Sequence, residues 1–203
     1  MWPGWWHIFS LFCRGREVRE AAANLYSAAV LHARLPIFYE QYGVADTPDG
    51  RFDIIMLHVF LVLRRLKGND KRSKATGQAV FDVMFSDMDQ NLREMGAGDI
   101  GVSYRIKDMV KAFYGRIAAY EKGLNEPRTK MLEAALCRNL YRGTSLEPIL
   151  TVTMAEYVRG QDKELAMQTR DSFLAGRVDF SLPPAVGDAT WAVKLTFHKK
   201  NRI

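Results

Sequence analysis

The chain has 203 residues, 48% of them hydrophobic and 26% charged, and this balance excludes a chain that is disordered throughout. Its length suits one domain with a full hydrophobic core, and its formal net charge of +6 favours an anionic partner such as a lipid surface or nucleic acid. The longest apolar run, residues 54–63, is too short for the roughly 20 residues of a membrane-spanning helix.

The first 16 residues form an aromatic segment in which Trp2, Trp5 and Trp6 precede apolar residues and then arginines. The segment has no basic residue before its apolar part and no small-residue cleavage site, so it is not a secretory signal peptide. Tryptophan beside arginine is typical of a bilayer interface, and we therefore predict that this segment touches a membrane. The alternative is a flexible tail, or aromatic side chains folded back on the domain.

Apolar periodicity predicts about six helices within residues 17–176, and the fold class is therefore all-α, in a single compact domain. The predicted helices are 17–32 with a short continuation at 37–42, 52–66, 75–95, 100–124, 126–142, and 145–158 with an extension to 175. The second of these is apolar nearly all round, which predicts a central position in the core. Residues 46–50 are predicted to form a turn.

The last 27 residues differ in kind from the helical region. Pro183 and Pro184 precede a strand-like stretch at residues 191–197. We predict an extended C-terminal arm over residues 177–203, either packed on the helices or ordered by a partner.

Charge is distributed unevenly along the chain. Residues 64–74 carry six basic side chains and one acid, and they are predicted to form a basic loop. Residues 82–99 carry five acids and one arginine, so the surface is expected to have a basic pole and an acidic pole. The predicted lipid-facing or RNA-facing side chains of the loop are Arg64, Arg65, Lys67, Lys71 and Arg72. The alternative is that both stretches are simply solvated faces.

Motifs of catalysis and of metal binding do not occur in this sequence. There is no Glu-x-x-His pair, no Gly-x-Ser-x-Gly and no Walker-type loop, so neither an enzyme, a metal site nor a cofactor is expected. Asp82 and Asp89 share a helical face, whereas Asp87 is rotated away from both. Asp89 and Arg93 are predicted to form an i,i+4 pair. His58 lies in an apolar helix and is predicted to be a hydrogen-bonded core residue.

The two cysteines, Cys13 and Cys137, have neither metal-binding nor haem-attachment spacing. Two distant cysteines fit a reducing compartment, although one disulfide between them is also compatible with the sequence.

Short motifs of glycine, aspartate, arginine and aromatic residues lie at helix edges between residues 33 and 120. They are Ala33-Arg34, Phe38-Tyr39, Val44-x-Asp46-Thr47-x-x-Gly50-Arg51-Phe52, Leu57-His58, Arg64-Arg65-Leu66, Phe81-Asp82-x-Met84-Phe85-x-Asp87-Met88-Asp89, Arg93-Glu94-Met95-Gly96-x-Gly98-Asp99, Lys107-x-Met109 and Phe113-Tyr114-Gly115-Arg116-x-x-Ala119-Tyr120. This ordered set, within residues 25–175, resembles the ubiquinol–cytochrome c chaperone family, assembly factors of the cytochrome bc1 complex in mitochondria and alphaproteobacteria. The resemblance implies a chaperone of newly made cytochrome b, with a small partner protein and the ribosome as further partners.

On this hypothesis we expect a client groove, both acidic and aromatic, between the third and fourth predicted helices. The predicted client-contacting residues are Arg51, Phe52, Asp82, Asp87, Asp89, Arg93, Glu94, Asp99, Phe113, Tyr114, Arg116 and Tyr120. Since no Arg/Ser-rich transit peptide is evident, the expected location is the bacterial cytoplasm, peripheral on the inner membrane. The alternative function is a generic membrane-surface or RNA-binding helical protein without a dedicated client; DNA is not an expected partner.

Overall fold

A computed structural model describes residues 15–68, 70–96, 98–144 and 147–186, and within these ranges the chain is all-α, as predicted. The described helices are α1 (Arg16–Ala33), α2 (Ile37–Glu40), α3 (Pro48–Leu66), α4 (Lys71–Glu94), α5 (Asp99–Asn125), α6 (Lys130–Asn139), α7 (Pro148–Met167) and α8 (Arg170–Leu174). None of these described helices is long and apolar enough to cross a membrane. The tryptophans of the N-terminal segment and the strand-like residues 191–197 lie outside the described ranges.

Two helices begin earlier than the apolar pattern predicts, because side chains cap their first turns. The Thr47 Oγ1 accepts a hydrogen bond from the Gly50 N–H (3.1 Å), so α3 begins within the predicted turn. The Asp70 carboxylate accepts from the Ser73 N–H (2.7 Å), so α4 begins at Lys71. The prediction of a basic loop over residues 64–74 is therefore wrong, because most of these basic side chains lie on the ends of two helices.

The described part of the chain contains eight helices rather than about six. The short α2 is separate from α1, and the last predicted helix is divided into α7 and α8. The division follows from a cap, because the Thr169 Oγ1 accepts from the Ser172 N–H (3.2 Å) and starts a new helix there. α6 is shorter than predicted, covering ten residues that end at Asn139.

The core is built around α3, as its uniformly apolar sequence predicts. Every side chain from Asp53 to Leu63 is buried, and α1, α4 and α7 pack against this helix. α5 packs against α4 and α6, which extends the core beyond α3. Residues 177–186, the described part of the predicted arm, have no regular secondary structure and lie against α7 and the segment that follows α2.

A buried ion network holds the start of α3. Asp53 is 1% exposed and accepts hydrogen bonds from Arg116 of α5 and from the Arg142 Nε (2.6 Å), which follows α6. The Arg142 Nη1 also donates to the exposed Asp49 carboxylate (2.7 Å). Burial raises the pKa of Asp53 above its usual range, and the two guanidinium groups oppose this effect. The network thus ties three parts of the chain to a single carboxylate.

Candidate functional site

An aromatic stack marks the line where α4 meets α5 at the surface. The half-buried ring of Phe81 stacks on that of Tyr114, with centroids 5.8 Å apart and planes 27° apart. Phe85 and Phe113 lie beneath and are buried, so the exposed edges of Phe81 and Tyr114 form the outer layer of a four-ring cluster. Offset aromatic packing of this kind fixes the rings in place without covering their outer edges.

The apolar surface continues along α5 from Tyr114 towards the start of the helix. Ile106 and Val110 precede Tyr114 at four-residue steps, which places all three on one helical face, and each is half-buried. We call Phe81, Ile106, Val110 and Tyr114 the α4–α5 seam. These four side chains can bury further apolar area against another molecule.

Carboxylates of α4 lie beside the seam, but they do not form one continuous acidic surface. Asp82 accepts from the Gln78 Nε2 (2.6 Å), and burial together with the Asp82 charge raises the pKa of Tyr114 to about 12. Asp89 pairs with Arg93 (2.6 Å), which confirms the predicted i,i+4 pair. Asp82 and Asp89 are about 20° apart around the helix axis, so both belong to the seam side.

The remaining predicted acids are directed elsewhere. Asp87 accepts from the Tyr26 hydroxyl (2.6 Å) and so joins α4 to α1, as its rotation from Asp82 and Asp89 predicts. Glu94 is exposed near the end of α4, where it accepts from the Gln90 Nε2 (2.9 Å). The side chain of Asp99 lies outside the described part of the structure. Within the described residues, no group of three or more His, Cys, Asp and Glu side chains could hold a metal ion.

Several side chains predicted to contact a client lie in the interior instead. Phe113 and Tyr120 are each 1% exposed and belong to the core, because their positions on α5 face α4 and α3. Phe52 is half-buried against the core. Arg116 is 16% exposed, and its guanidinium is engaged with Asp53 in the buried ion network. Of these four side chains, none extends the exposed seam in this conformation.

Arg51 lies at a different surface, in an open cleft of about 390 Å³ near the start of α3. Its Nε donates to the Asp46 carboxylate (2.6 Å), and both side chains are more than half exposed. Tyr39 lines the same cleft and donates its hydroxyl hydrogen to the Ala33 carbonyl (2.9 Å). Residues of several early motifs thus converge here, although no local spacing in the sequence predicted it.

Two of the predicted lipid-facing or RNA-facing arginines connect helices to one another. The Arg64 Nε donates to the Asp162 carboxylate (2.8 Å) on α7. The Arg65 Nε donates to the Leu165 carbonyl (3.0 Å) near the end of the same helix. These hydrogen bonds tie α3 to α7 and account for both arginines within the fold.

The other three basic side chains include one that connects helices and two that extend into solvent. Lys67 pairs with Glu121 of α5 and so is also a connection between helices. Lys71 and Arg72 are exposed on the first turn of α4. Lys67 is exposed as well, so three of the five predicted contacts lie at the surface, as binding to lipid or RNA requires.

A buried polar cluster connects three helices through one tyrosine hydroxyl. The His58 Nδ1 donates to the Ile54 carbonyl (2.9 Å), which leaves the His58 Nε2 to accept from the Tyr157 hydroxyl (2.8 Å). The His32 Nε2 donates to the same hydroxyl oxygen (2.9 Å). The prediction that His58 is a hydrogen-bonded core residue is confirmed. The other partners were missed because Tyr157 lies 99 residues from His58 and 125 residues from His32 along the chain.

Both histidines are expected to stay neutral at pH values where a free imidazole is protonated. Burial lowers the pKa of His58 to about 3 and that of His32 to about 4. The histidines of the unfolded chain bind protons near pH 6.5, whereas those of the native state stay neutral there. The free energy of unfolding therefore keeps this contribution above pH 6.5 and loses it progressively as the pH falls towards 3. His58 alone should then reduce the free energy of unfolding by about 1.4 kcal/mol per pH unit below 6.5.

This expectation is checked by an NMR titration of the assigned imidazole carbons, together with denaturant unfolding at several pH values. We expect the His58 signal to stay in its neutral position down to pH 5. A His58 titration centred near pH 6.5 would contradict the burial of a neutral ring.

Comparison with known proteins gives a consistent group of relatives. Residues 40–180 match the family model described as Ubiquinol-cytochrome C chaperone. Ubiquinol-cytochrome-c reductase complex assembly factor 1 of Xenopus laevis is 28% identical over 163 residues, covering 80% of this chain and 81% of that protein. The human protein of the same description is 27% identical over 165 residues, and the chain spans only 55% of its length. The mouse relative is likewise matched over 55% of its length.

A solved structure has the same fold. The crystal structure of the Cbp3 homolog from Brucella abortus superposes with a TM-score of 0.73 and 34% sequence identity. The match covers 81% of this chain and 91% of that chain.

Proposed function

Because the chain belongs to the ubiquinol–cytochrome C chaperone family, we propose that it is a non-catalytic chaperone that binds newly made cytochrome b and supports assembly of the ubiquinol–cytochrome c reductase complex. The observation that carries the proposal is the α4–α5 seam, where half-buried apolar side chains lie beside carboxylates. A chaperone needs such a surface, whereas an enzyme needs converging reactive groups.

The chemistry of the seam suits a segment of a membrane protein. Such segments are apolar and carry lysine or arginine at their ends. Phe81 and Tyr114 would cover the apolar part, and Asp82 and Asp89 would attract the basic end. Asp87 is less suited to this role, because its carboxylate faces α1, where it accepts from the Tyr26 hydroxyl.

Exposed basic side chains of α4 and α5 support further partners, which include a small partner protein, the ribosome and an anionic membrane. Lys71 and Arg72 are exposed at the start of α4, and Arg105, Lys107 and Lys111 are exposed on α5. We propose a peripheral position on the inner membrane of a bacterial cell, where these cations would face lipid headgroups or RNA. The same cations favour the second candidate, a general lipid or RNA binder, whose affinity would fall steeply with salt.

Reversing two charges beside the seam tests the proposal. The double variant Asp82→Lys/Asp89→Lys should recover about tenfold less cytochrome b from native membranes than the wild-type bait, since it replaces two attractive contacts by repulsive ones. Recovery is measured by quantitative mass spectrometry of the captured proteins. The melting temperature should change little, because the Asp89 side chain is 39% exposed and its pair with Arg93 is a surface pair.

A matched control keeps the change in net charge the same. Glu126→Lys/Glu156→Lys reverses two exposed acids outside the seam and should recover cytochrome b like the wild type. If both variants capture as much cytochrome b as the wild type, the seam is not the client surface. Capture of ribosomal components or lipid without cytochrome b would favour the second candidate.

A further inference from the structure

Two glutamine side chains, Gln161 of α7 and Gln168 directly after it, hold the extended residues 177–186 by their backbone. The Gln168 Nε2 donates to the Asp179 carbonyl (2.6 Å), and its Oε1 accepts from the Asp179 N–H (3.1 Å). Gln161 repeats the arrangement with Ser181, with distances of 2.7 Å to the carbonyl and 3.3 Å from the N–H. Each side-chain amide therefore pairs with a residue of the extended chain as a neighbouring β-strand would.

The spacing of these contacts matches the two periodicities involved. Gln161 and Gln168 are seven residues apart, about two helical turns, so Gln168, which follows the last residue of α7, lies on the same side as Gln161. Asp179 and Ser181 are two residues apart, so in an extended chain their backbone groups point to the same side. Residue order is reversed between the two partners, which means that the segment runs antiparallel to α7. The two glutamine contacts recognise an extended backbone. The Ser181 hydroxyl adds one side-chain contact, a hydrogen bond donated to the Glu164 carboxylate of α7.

Between the two glutamine contacts, one side chain enters an aromatic pocket. The half-buried ring of Phe180 packs on His32 at a centroid distance of 4.9 Å and meets the edge of His58 at 5.5 Å. Three residues later Pro183 is buried, and the Pro184 carbonyl accepts from the Tyr42 hydroxyl (2.8 Å). This surface therefore combines a ladder for backbone with a slot for an aromatic residue and a proline.

The segment nevertheless lies at the surface. Asp179, Ser181 and Ala185 are exposed, and the Leu182 side chain is 75% exposed. Its contacts from residue 179 onward are chiefly with side chains of α7 and of the segment around α2. A segment held in this way can be exchanged for another of the same shape without unfolding the helices beneath it.

We propose that the groove formed by α7, His32 and Tyr42 is a binding site for an extended peptide segment of another protein, and that residues 177–186 occupy this groove in cis. The occupant has a free backbone N–H on each side of an aromatic residue, and a proline three positions after that residue. Unfolded segments of newly made chains meet these requirements. The site goes beyond the proposed function, and it shares no residue with the α4–α5 seam.

The test is direct binding of a fluorescent peptide with the sequence of residues 177–186 to the full chain, followed by anisotropy. Phe180→Ala in the protein weakens the cis segment and leaves the groove intact, so this variant should bind the peptide at least about tenfold more tightly than the wild type. Ser181→Pro is a second variant, which removes the N–H donor to Gln161 and the hydroxyl donor to Glu164 while Phe180 stays in place. Adding Gln161→Ala/Gln168→Ala to either variant should abolish binding.

Two peptide controls separate backbone recognition from non-specific adhesion. Methylation of the peptide nitrogens that correspond to Asp179 and Ser181 removes the donors and keeps the side chains, and it should prevent binding. Replacing the aromatic residue of the peptide by alanine should weaken binding strongly. Asp82→Lys/Asp89→Lys in the protein should have no effect, which distinguishes this site from the seam.

Three results would overturn the proposal. Absence of saturable binding to both folded variants would mean that residues 177–186 are a permanent part of the fold. Binding that survives the glutamine replacements or the methylated backbone would place the peptide elsewhere. A concentration-dependent dimer without peptide binding would make the same segment of a second copy the occupant instead.

Discussion

Replacing Asp53 by alanine is expected to lower the free energy of unfolding by about 3–5 kcal/mol. The carboxylate is buried and accepts hydrogen bonds from Arg116 and Arg142. Its loss leaves Arg116 without this counter-charge and Arg142 with the exposed Asp49 instead. Arg116 is the more costly of the two, since it is the more deeply buried. The backbone of Arg142 is itself strained, because its φ of 53° is a left-handed conformation that a non-glycine residue adopts only when its surroundings hold it there. Asp53 is one of the groups that hold Arg142 in place.

Urea unfolding followed by circular dichroism measures this change directly. Asp49→Ala is the matched control, because it removes the other carboxylate bound to Arg142, one that is exposed. Its effect should be small, as is usual for pairs at the surface. Equal losses of stability in the two variants would mean that burial does not determine the strength of this network.

Replacing Gly50 by alanine is expected to cost about 3 kcal/mol, at the upper end of the usual cost of overpacking. A Cβ at this position would lie 2.0 Å from the Ala45 carbonyl oxygen and 2.9 Å from the Ala45 carbonyl carbon. The obstacle is backbone rather than a flexible side chain, so the loop before α3 must move. Such a movement would also disturb the hydrogen bond from the Gly50 N–H to Thr47 that starts the helix.

Gly115→Ala is the same substitution, but it is expected to raise the free energy of unfolding rather than lower it. Gly115 is exposed in the middle of α5, and a Cβ there meets nothing within 4 Å. The free energy of unfolding should therefore rise by up to about 1 kcal/mol, the helix propensity difference between the two residues. Thermal and urea unfolding of both variants test the pair. A stability of Gly50→Ala equal to that of the wild type would show that the loop adapts freely.

α3 illustrates how far sequence patterns reach in this fold. Its apolar residues surround the helix axis, and the predicted central position follows from that property alone. The start of the helix was misplaced because the cap formed by Thr47 is a single side-chain contact that leaves no periodic signal. The short helical stretch predicted at residues 37–42 is present as α2, a single turn of four residues.

The same distinction between local and distant contacts applies to the candidate site. The pair of Asp89 with Arg93 was predicted because residues four apart on a helix are always neighbours. Asp53 and Arg116 are 63 residues apart, and no spacing rule connects them, although a buried aspartate in an apolar helix signals that a partner is needed. Phe113 belongs to the apolar stripe of its helix, and its burial, at 1% exposed, follows from that position.

The order of synthesis gives the groove under residues 177–186 a further property. Its contacts join residues far apart in the chain: 142 positions separate Tyr42 from Pro184, and 145 separate Gln41 from Val186. At about 5–20 residues per second, Phe180 is translated roughly 6–24 s after His58. Until then the nascent chain can fold its helices but cannot cover the ring of His32. Packing of Phe180 on this ring is therefore a late step of folding, although His32 belongs to the first helix.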